Sequence, residues 1–425
     1  WKERVAVKES RLPCIPLSMP TFATLEVWTR ALVQEHLQWF LEAEITDLLG
    51  RTRYERREPV DCSPGSRNGY GKPRKLALMS GTIAVRRPRV RGLEARFESR
   101  ILPLFMRRTL GVTQLLPELY LHGLAQGDFE LALRGLLGDA APLSASSIAR
   151  LRAKWEAQFA VWQQRRLDDR ELVYAWADGI YVKAGLEKDK AALLVVIGAM
   201  SDGRKEVLAI HSGYRESTES WLKLLRDLRA RGLRAPVLLM ADGGLPVWGA
   251  VEQLWPDTDQ QRCWNHKIIN VLDDLPKRVQ PLAKPLLTQI PYAASREAAE
   301  NGREQFAKRF GGQFPKAVAT LERDWERMVS FYNYPEAHWT HLRTTNPVES
   351  PFASVRLRTN AGKRYKRVAG ATALIWRVLM VAEQRFRTLN GAELLPDVYA
   401  GVRYKDGKPI DPEETSPERE VKQVA

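Results

Sequence analysis

Residues 171–183, ELVYAWADGIYVK, constrain the chain more than any other stretch. Leu172, Val173, Ala175, Trp176 and Ala177 run straight into Asp178, and Ile180, Tyr181 and Val182 follow at once. A β-branched and aromatic run of this length predicts a strand buried on both faces. A carboxylate inside such a strand is costly unless a partner, most simply a divalent metal, compensates its charge. Two later acids stand in equally odd settings. Asp242 ends the apolar run 237–241 and precedes Gly243-Gly244, and Glu349 lies in TTNPVES, between a turn signal and a helical pattern. The expectation is that Asp178, Asp242 and Glu349 converge on metal. Singly, each has a bland reading: a turn cap, an Asx turn and an exposed helix residue.

Around these acids, residues 171–270 alternate strand and helix signals. Strands are predicted over 172–183, within 191–200 and over KEVLAIHSG. The amphipathic helix STESWLKLLRDLRARGL follows, with a Ser/Thr start and a Gly stop. A fourth strand, APVLLMADGG, a helix, LPVWGAVEQLW, and a fifth short strand, TDQQRCWN, complete the set. Three strands in a meander, then helix, strand, helix, strand, is the order of an RNase H-like domain. In that topology the strands carrying Asp178 and Asp242 are neighbours. Residues 271–345 break the alternation with proline-punctuated helices, and 346–395 read as two final helices of the core, Glu349 near the start of the first. The expected fold class is therefore multidomain α+β and α/β. An RNase H-like catalytic domain is interrupted by an all-helical insertion, and a mostly helical DNA-binding region with a small basic β-hairpin precedes it. Residues 396–425, rich in Pro, Glu, Asp and Lys, predict a flexible tail.

A net charge of +15 and a pI near 9.7 point to a polyanionic partner, most simply nucleic acid; a merely soluble basic surface is the bland alternative. The charge is clustered, with 16 Lys and Arg against 5 Asp and Glu over 51–110, and 10 against 2 over 343–387. Residues 1–110 are read as a lead-in, a helix over 24–49, a mobile basic loop over 51–75 and a hairpin, KLALMSGTIAVRRPRV. On that hairpin Arg86, Arg87 and Arg89 are candidate DNA contacts. Residues 111–165 carry three helical patterns. The third, opening at Ser144 or Ser146, resembles the recognition helix of a helix-turn-helix, with Arg150 and Arg152 toward bases or phosphates. A plain helical spacer is the alternative. After Glu349, Arg356 and Arg358 are candidates to guide DNA by phosphate contact, against a merely solvated charged helix. Three cysteines, at 14, 62 and 263, make no disulfide framework and suit a reducing cytoplasm. No apolar run reaches the roughly 18 residues of a membrane-spanning helix. No secretory leader is visible, and Trp1 in place of Met leaves the start of the chain open. Three carboxylates on a basic scaffold suit two-metal phosphoryl transfer, with two Mg²⁺ or Mn²⁺ ions per active site as cofactors for hard oxygen ligands.

The blocks WADGIYVK, LLMADGG, RCWNHK and TTNPVESPFASVRLRT resemble the signatures of bacterial insertion-sequence transposases of the Mutator type, which are DDE enzymes. SRNGYGKPRK, SGTIAVRRPRVRG, FESRILPLFMRR, ELYLHGLA and LSASSIARL resemble that family's N-terminal half. The likeness implies that Asp178, Asp242 and Glu349 are the catalytic acids and metal ligands, at intervals of 64 and 107 residues, the longer one holding the helical insertion. It matches Cys263 and His266 to a near-site Cys-x-x-His pair. By itself that pair is half of a zinc site. With no second Cys/His cluster in the chain, it is expected to pack or hydrogen-bond beside the active site. Trp264 between them either stacks on an unpaired base or belongs to the core. The implied function is a DNA transposase that binds terminal inverted repeats, cleaves at the element's 3′ ends and transfers the 3′-hydroxyl to target DNA. Its implied partners are double-stranded DNA and further copies of itself, as a homodimer or larger assembly, in the bacterial cytoplasm on the nucleoid. An RNase H-like nuclease without strand transfer and a transposase-derived DNA-binding regulator are the rival readings.

Overall fold

The computed structural model describes residues 20–56, 65–125, 128–137, 145–184, 191–213, 217–244, 246–362 and 365–410. The chain divides into two compact units, one ending at Leu151 and one beginning at Arg152.

In the first unit, helix α1 (Leu25–Leu49) ends where Gly50 takes the left-handed conformation that glycine adopts without cost, φ 62°. Its inward residues Leu41, Ile45 and Leu49 are buried. Leu41 joins Leu76, Ile83, Val85 and Leu102 in a small core. Four short strands follow, β1 (Ser66–Tyr70), β2 (Arg74–Leu78), β3 (Gly81–Val85) and β4 (Pro88–Arg91). The expected β2–β3 hairpin is present, turning at Met79-Ser80 with Leu78 opposite Gly81, one residue before the Ser80-Gly81 turn read from the sequence. Part of the basic stretch 51–75, read as a mobile loop, is instead strand: β1 pairs with β4 and β2 begins at Arg74. The long-range partner supplies the order that polar local composition conceals. Helices α2 (Leu110–Leu121), α3 (Phe129–Leu137) and α4 (Ala145–Gln163) complete the region. Ser144 lies outside the described residues, and the division between the units falls inside α4.

The second unit is built on a five-stranded sheet. Strands β5 (Leu172–Val182), β6 (Ala191–Met200) and β7 (Lys205–Gly213) form the meander, helix α5 (Thr218–Ala230) leads to β8 (Leu238–Ala241), and α6 (Val247–Leu254) leads to β9 (Asp259–Arg262). The strand order is β7-β6-β5-β8-β9; β5, β6 and β7 are antiparallel neighbours, while β5, β8 and β9 run parallel. Gly198 is required where β6 is most crowded, since a Cβ there would sit 2.5 Å from Leu172 Cδ1 and 2.6 Å from Leu208 Cδ1. Helix α5 opens at Ser217, whose hydroxyl accepts from the Ser220 amide at 3.3 Å. Trp221, Leu224, Leu225 and Leu228 of α5 and Val247 and Val251 of α6 pack on Ala175, Ala177, Leu239 and Ala241. Alternation then turns Tyr174, Trp176 and Asp178 of β5 toward the opposite face.

That second face is covered by the helical remainder. Helices α7 (Trp264–Asp273), α8 (Gln280–Gln289), α9 (Arg296–Phe310), α10 (Pro315–Glu322), α11 (Trp325–Val329) and α12 (Trp339–Leu342) fill the interval before α13 (Asn346–Ala361) and α14 (Val368–Glu383). Helix α13 packs on β5 and β6, and α14 on β7. Tyr174 donates its hydroxyl to His338 Nδ1 at 2.8 Å, because His338 Nε2 already donates to the Gly391 carbonyl at 2.8 Å. Trp176 Nε1 donates to the His341 carbonyl at 3.1 Å. Two expectations are corrected here. The fifth strand stops at Arg262, so Trp264 and His266 belong to α7. The tail expected from residue 396 is structured as far as 410: α15 (Leu395–Tyr399) is followed by a small pair, β10 (Tyr404–Lys405) and β11 (Lys408–Pro409), with Val398 and Tyr404 buried.

Candidate active site

Strand register sets the first two acids. Trp176 lies opposite Met240 in the parallel β5–β8 pair. Asp178 and Asp242 each come two residues later, at the same level of neighbouring strands and, by alternation, toward the face that α13 covers. Asp178 Oδ1 accepts from the Gly179 amide at 2.7 Å. Asp242 follows the last residue of β8, where its carbonyl accepts from Trp248 Nε1 at 3.0 Å. Its Oδ1 is buried and has no hydrogen-bond partner among the described residues. A buried carboxylate oxygen left this way is what a cation would satisfy. On that ground Asp242 fits the role of a cation ligand. Gly243 explains why glycine must follow, since a Cβ there would lie 1.5 Å from Arg262 Nε. The Arg262 side chain, which crosses beneath Gly243, is held by Asp324 Oδ2 at 3.1 Å.

Glu349 comes from the first turn of α13. Buried Thr345, one turn earlier, donates its hydroxyl to Glu349 Oε1 and its amide to Cys263 Sγ at 3.4 Å. The start of α7 faces this turn. The Cys263 amide donates to the Ala241 carbonyl at 2.9 Å and the Trp264 amide to the Arg343 carbonyl at 2.9 Å. Asn265 Nδ2 meets Asn346 Oδ1 at 3.2 Å. Cys263 and His266, three apart at a helix start, therefore project together. The ligand atoms of Cys263, His266 and Glu349 all lie within 4.8 Å of one another. His266 Nδ1 is 3.8 Å from Glu349 Oε1. The imidazole is raised to about 9, chiefly by the Cys263 side chain and further by the charges of Asp242 and Glu349, against the opposing effect of burial. Asp242 thus reaches His266 through its charge, while neither aspartate belongs to the 4.8 Å group.

The remaining candidates are dispersed. Arg86 and Arg89 are exposed and Arg87 is half-buried. With Lys72, Arg74 and Arg96, Arg87 and Arg89 line a cavity of about 350 Å³. Burial and the neighbouring charges of Arg87 and Arg107 push the Arg74 guanidinium below its ordinary range. Arg150 is exposed, whereas Arg152 is half-buried, its Nη2 3.1 Å from where a Cβ on Gly370 would stand. Arg356 is exposed on α13. Arg358 is corrected: it is 2% exposed and cannot serve an open basic face as it stands. Val348, Phe352, Val355 and Arg358 share the inward stripe of α13. Trp264 is a core residue, 1% exposed, with Nε1 donating to the Met328 carbonyl at 2.8 Å.

The sequence profile described as "Transposase, Mutator family" matches residues 21–388. The chain belongs to the Mutator family of transposases. It is 44% identical over 300 residues to the transposase of insertion sequence IS6120 of Mycolicibacterium smegmatis, an overlap covering 71% of this chain and 93% of that one. It is 41% identical over 282 residues to the IST2 transposase of Acidithiobacillus ferrooxidans, covering 66% and 95%. At 24% over 344 residues it also resembles the IS256 transposase in transposon Tn4001 of Staphylococcus aureus, covering 80% and 86%. The Mutator resemblance read from the signature blocks is borne out. Within this family member, Thr345, Asn265, Asn346 and Arg262 are the site residues that sequence reasoning missed. The Thr-Thr-Asn-Pro helix start was the available signal for Thr345. Among the described residues, no helix is long and apolar enough to cross a membrane.

Proposed function

We propose that this family member is a DDE transposase with an RNase H-like catalytic domain, in which Asp178, Asp242 and Glu349 hold two Mg²⁺ or Mn²⁺ ions. The observation that carries the reading is the shared level of Asp178 and Asp242 on parallel neighbours, with the buried Asp242 Oδ1 unpartnered. Support for the fold is the order β7-β6-β5-β8-β9 with an antiparallel meander and two parallel additions. Helices α7 to α12 fill the interval between β9 and the helix that carries the glutamate. When bound, the ions supply activation of the attacking hydroxyl and stabilisation of the leaving oxygen. The chain's own residues do the rest. Thr345 fixes the rotamer of Glu349, Trp248 and the Gly243 turn fix Asp242, and Gly179 fixes Asp178. The first unit binds terminal inverted repeats, with Arg86, Arg87, Arg89 and Arg150 as contacts, and the chain works as a homodimer or larger assembly on DNA. The test is Mg²⁺-dependent joining of a labelled 3′-end oligonucleotide to plasmid DNA. Asp178→Ala, Asp242→Ala and Glu349→Ala should each abolish cutting and joining while repeat binding persists. Near-normal joining by any one of them removes that residue from the site. Cutting without joining by the unsubstituted protein would make it a nuclease.

A further inference from the structure

The geometry points to a second, soft-metal site in which Cys263, His266 and Glu349 bind one ion of the Zn²⁺ class, so that Glu349 is shared with the proposed catalytic pair and occupancy of the soft site withdraws it.

The donor set decides the chemistry. A thiolate, an imidazole and a carboxylate form a mixed S, N, O set that favours Zn²⁺ or Co²⁺ over Mg²⁺. All three atoms lie within 4.8 Å of one another. His266 Nδ1 and Glu349 Oε1, at 3.8 Å, are near the about 3.3 Å expected between two ligands of one tetrahedral ion. Side-chain rotation can close the rest. The donors are also in reserve. Cys263 is a free thiol, 1% exposed, and the buried His266 Nδ1 has no hydrogen bond of normal geometry. Three elements lock the group. Cys263 is tied to β8 through the Ala241 carbonyl, His266 rides the first turn of α7, and Glu349 rides the first turn of α13. Thr345 touches both ends, through its amide to Cys263 and its hydroxyl to Glu349. Three protein ligands leave a fourth position for water, the arrangement of an exchangeable ion rather than a permanent structural one. Binding releases two protons to solvent, one from the Cys263 thiol and one from the His266 imidazolium, and changes no oxidation state.

The binding part stands independently of the catalytic reading; the shared-Glu349 part rests on it. The full chain is titrated with Co²⁺ and followed by its thiolate-to-metal charge-transfer absorption. One equivalent should produce that band. Cys263→Ala should lose it and weaken Co²⁺ binding by more than about tenfold, with an unchanged circular dichroism spectrum. Cys14→Ser/Cys62→Ser should keep it. Absence of the band, or its dependence on Cys14 or Cys62, overturns the site. In the joining assay with Mg²⁺ in excess, one equivalent of Zn²⁺ should slow the unsubstituted protein. The ratio of rates with and without Zn²⁺ should approach one in Cys263→Ala. A band without Zn²⁺ inhibition overturns the sharing of Glu349. Persistent joining by Asp178→Ala overturns the catalytic reading instead and leaves the Co²⁺ result standing.

Discussion

Gly243 shows how one missing side chain can hold a neighbourhood together. Arg262 occupies the volume that a Cβ at 243 would need, and it is pinned there by Asp324. Gly243→Ala should push Arg262 off Asp324 and cost about 1–3 kcal/mol in denaturant-induced unfolding. Adding Arg262→Ala should remove the clash, so the two costs should fail to add. Strict additivity would disprove the steric conflict. Lys267 carries the clearest pH signature. Its ammonium is fully buried, donates to the carbonyls of Thr320 at 2.7 Å and of Arg323, and is pushed by burial from 10.5 to about 7. Between these values the unfolded chain binds the proton that the folded chain has released. Stability from this group is therefore complete above about 10.5 and is lost as pH falls through about 7. Unfolding free energy should rise from pH 7 to 10 relative to Lys267→Met. Parallel pH curves for the two proteins would show that Lys267 stays charged.

Among the elements, the basic hairpin makes the sharpest claim on DNA. The cavity lined by Lys72, Arg74, Arg87, Arg89 and Arg96 has no acid among its lining residues. Like charges gathered with no acid among them are stabilised by an external anion, and a phosphate backbone is the simplest one. Arg86→Ala/Arg89→Ala should lower the slope of log affinity against log salt by up to about 1.8, roughly 0.9 for each phosphate no longer neutralised. An unchanged slope would leave the hairpin as a solvated surface. Legibility also divides at this scale. The meander, α5 and β8 were readable because their period and caps are local. Strand β1 was not, because its partner β4 lies 18 or more residues away in sequence. The end of β9 was misread because Cys263-Trp264 looks apolar enough to extend a strand, whereas the polypeptide turns there into α7. Arg358 was misread because charge was weighed above helical phase, and phase puts it inside.

At the level of the whole molecule, each unit has its own core. Leu41, Leu76, Ile83, Val85 and Leu102 serve the first, while the sheet with α5 and α6 serves the second. Calorimetry should therefore resolve two transitions. Leu41→Ala, at a cost of about 2–5 kcal/mol, should lower only one of them. A common shift would mean a single cooperative body. The candidate site was legible as three acids but not as a set of supports, since Thr345 and His266 gain their meaning from the meeting of α7 and α13. That meeting also orders events in time. Asp242 and Glu349 are separated by 107 residues, an interval whose described residues hold seven α-helices, α6 to α12, and strand β9. At about 5–20 residues per second, a ribosome needs about 5–20 s to make that interval. For that period the nascent sheet carries both aspartates without the third acid. On the proposed reading, the emerging chain is unarmed until its helical half has been translated, and an mRNA broken within the interval yields a protein that cannot cut.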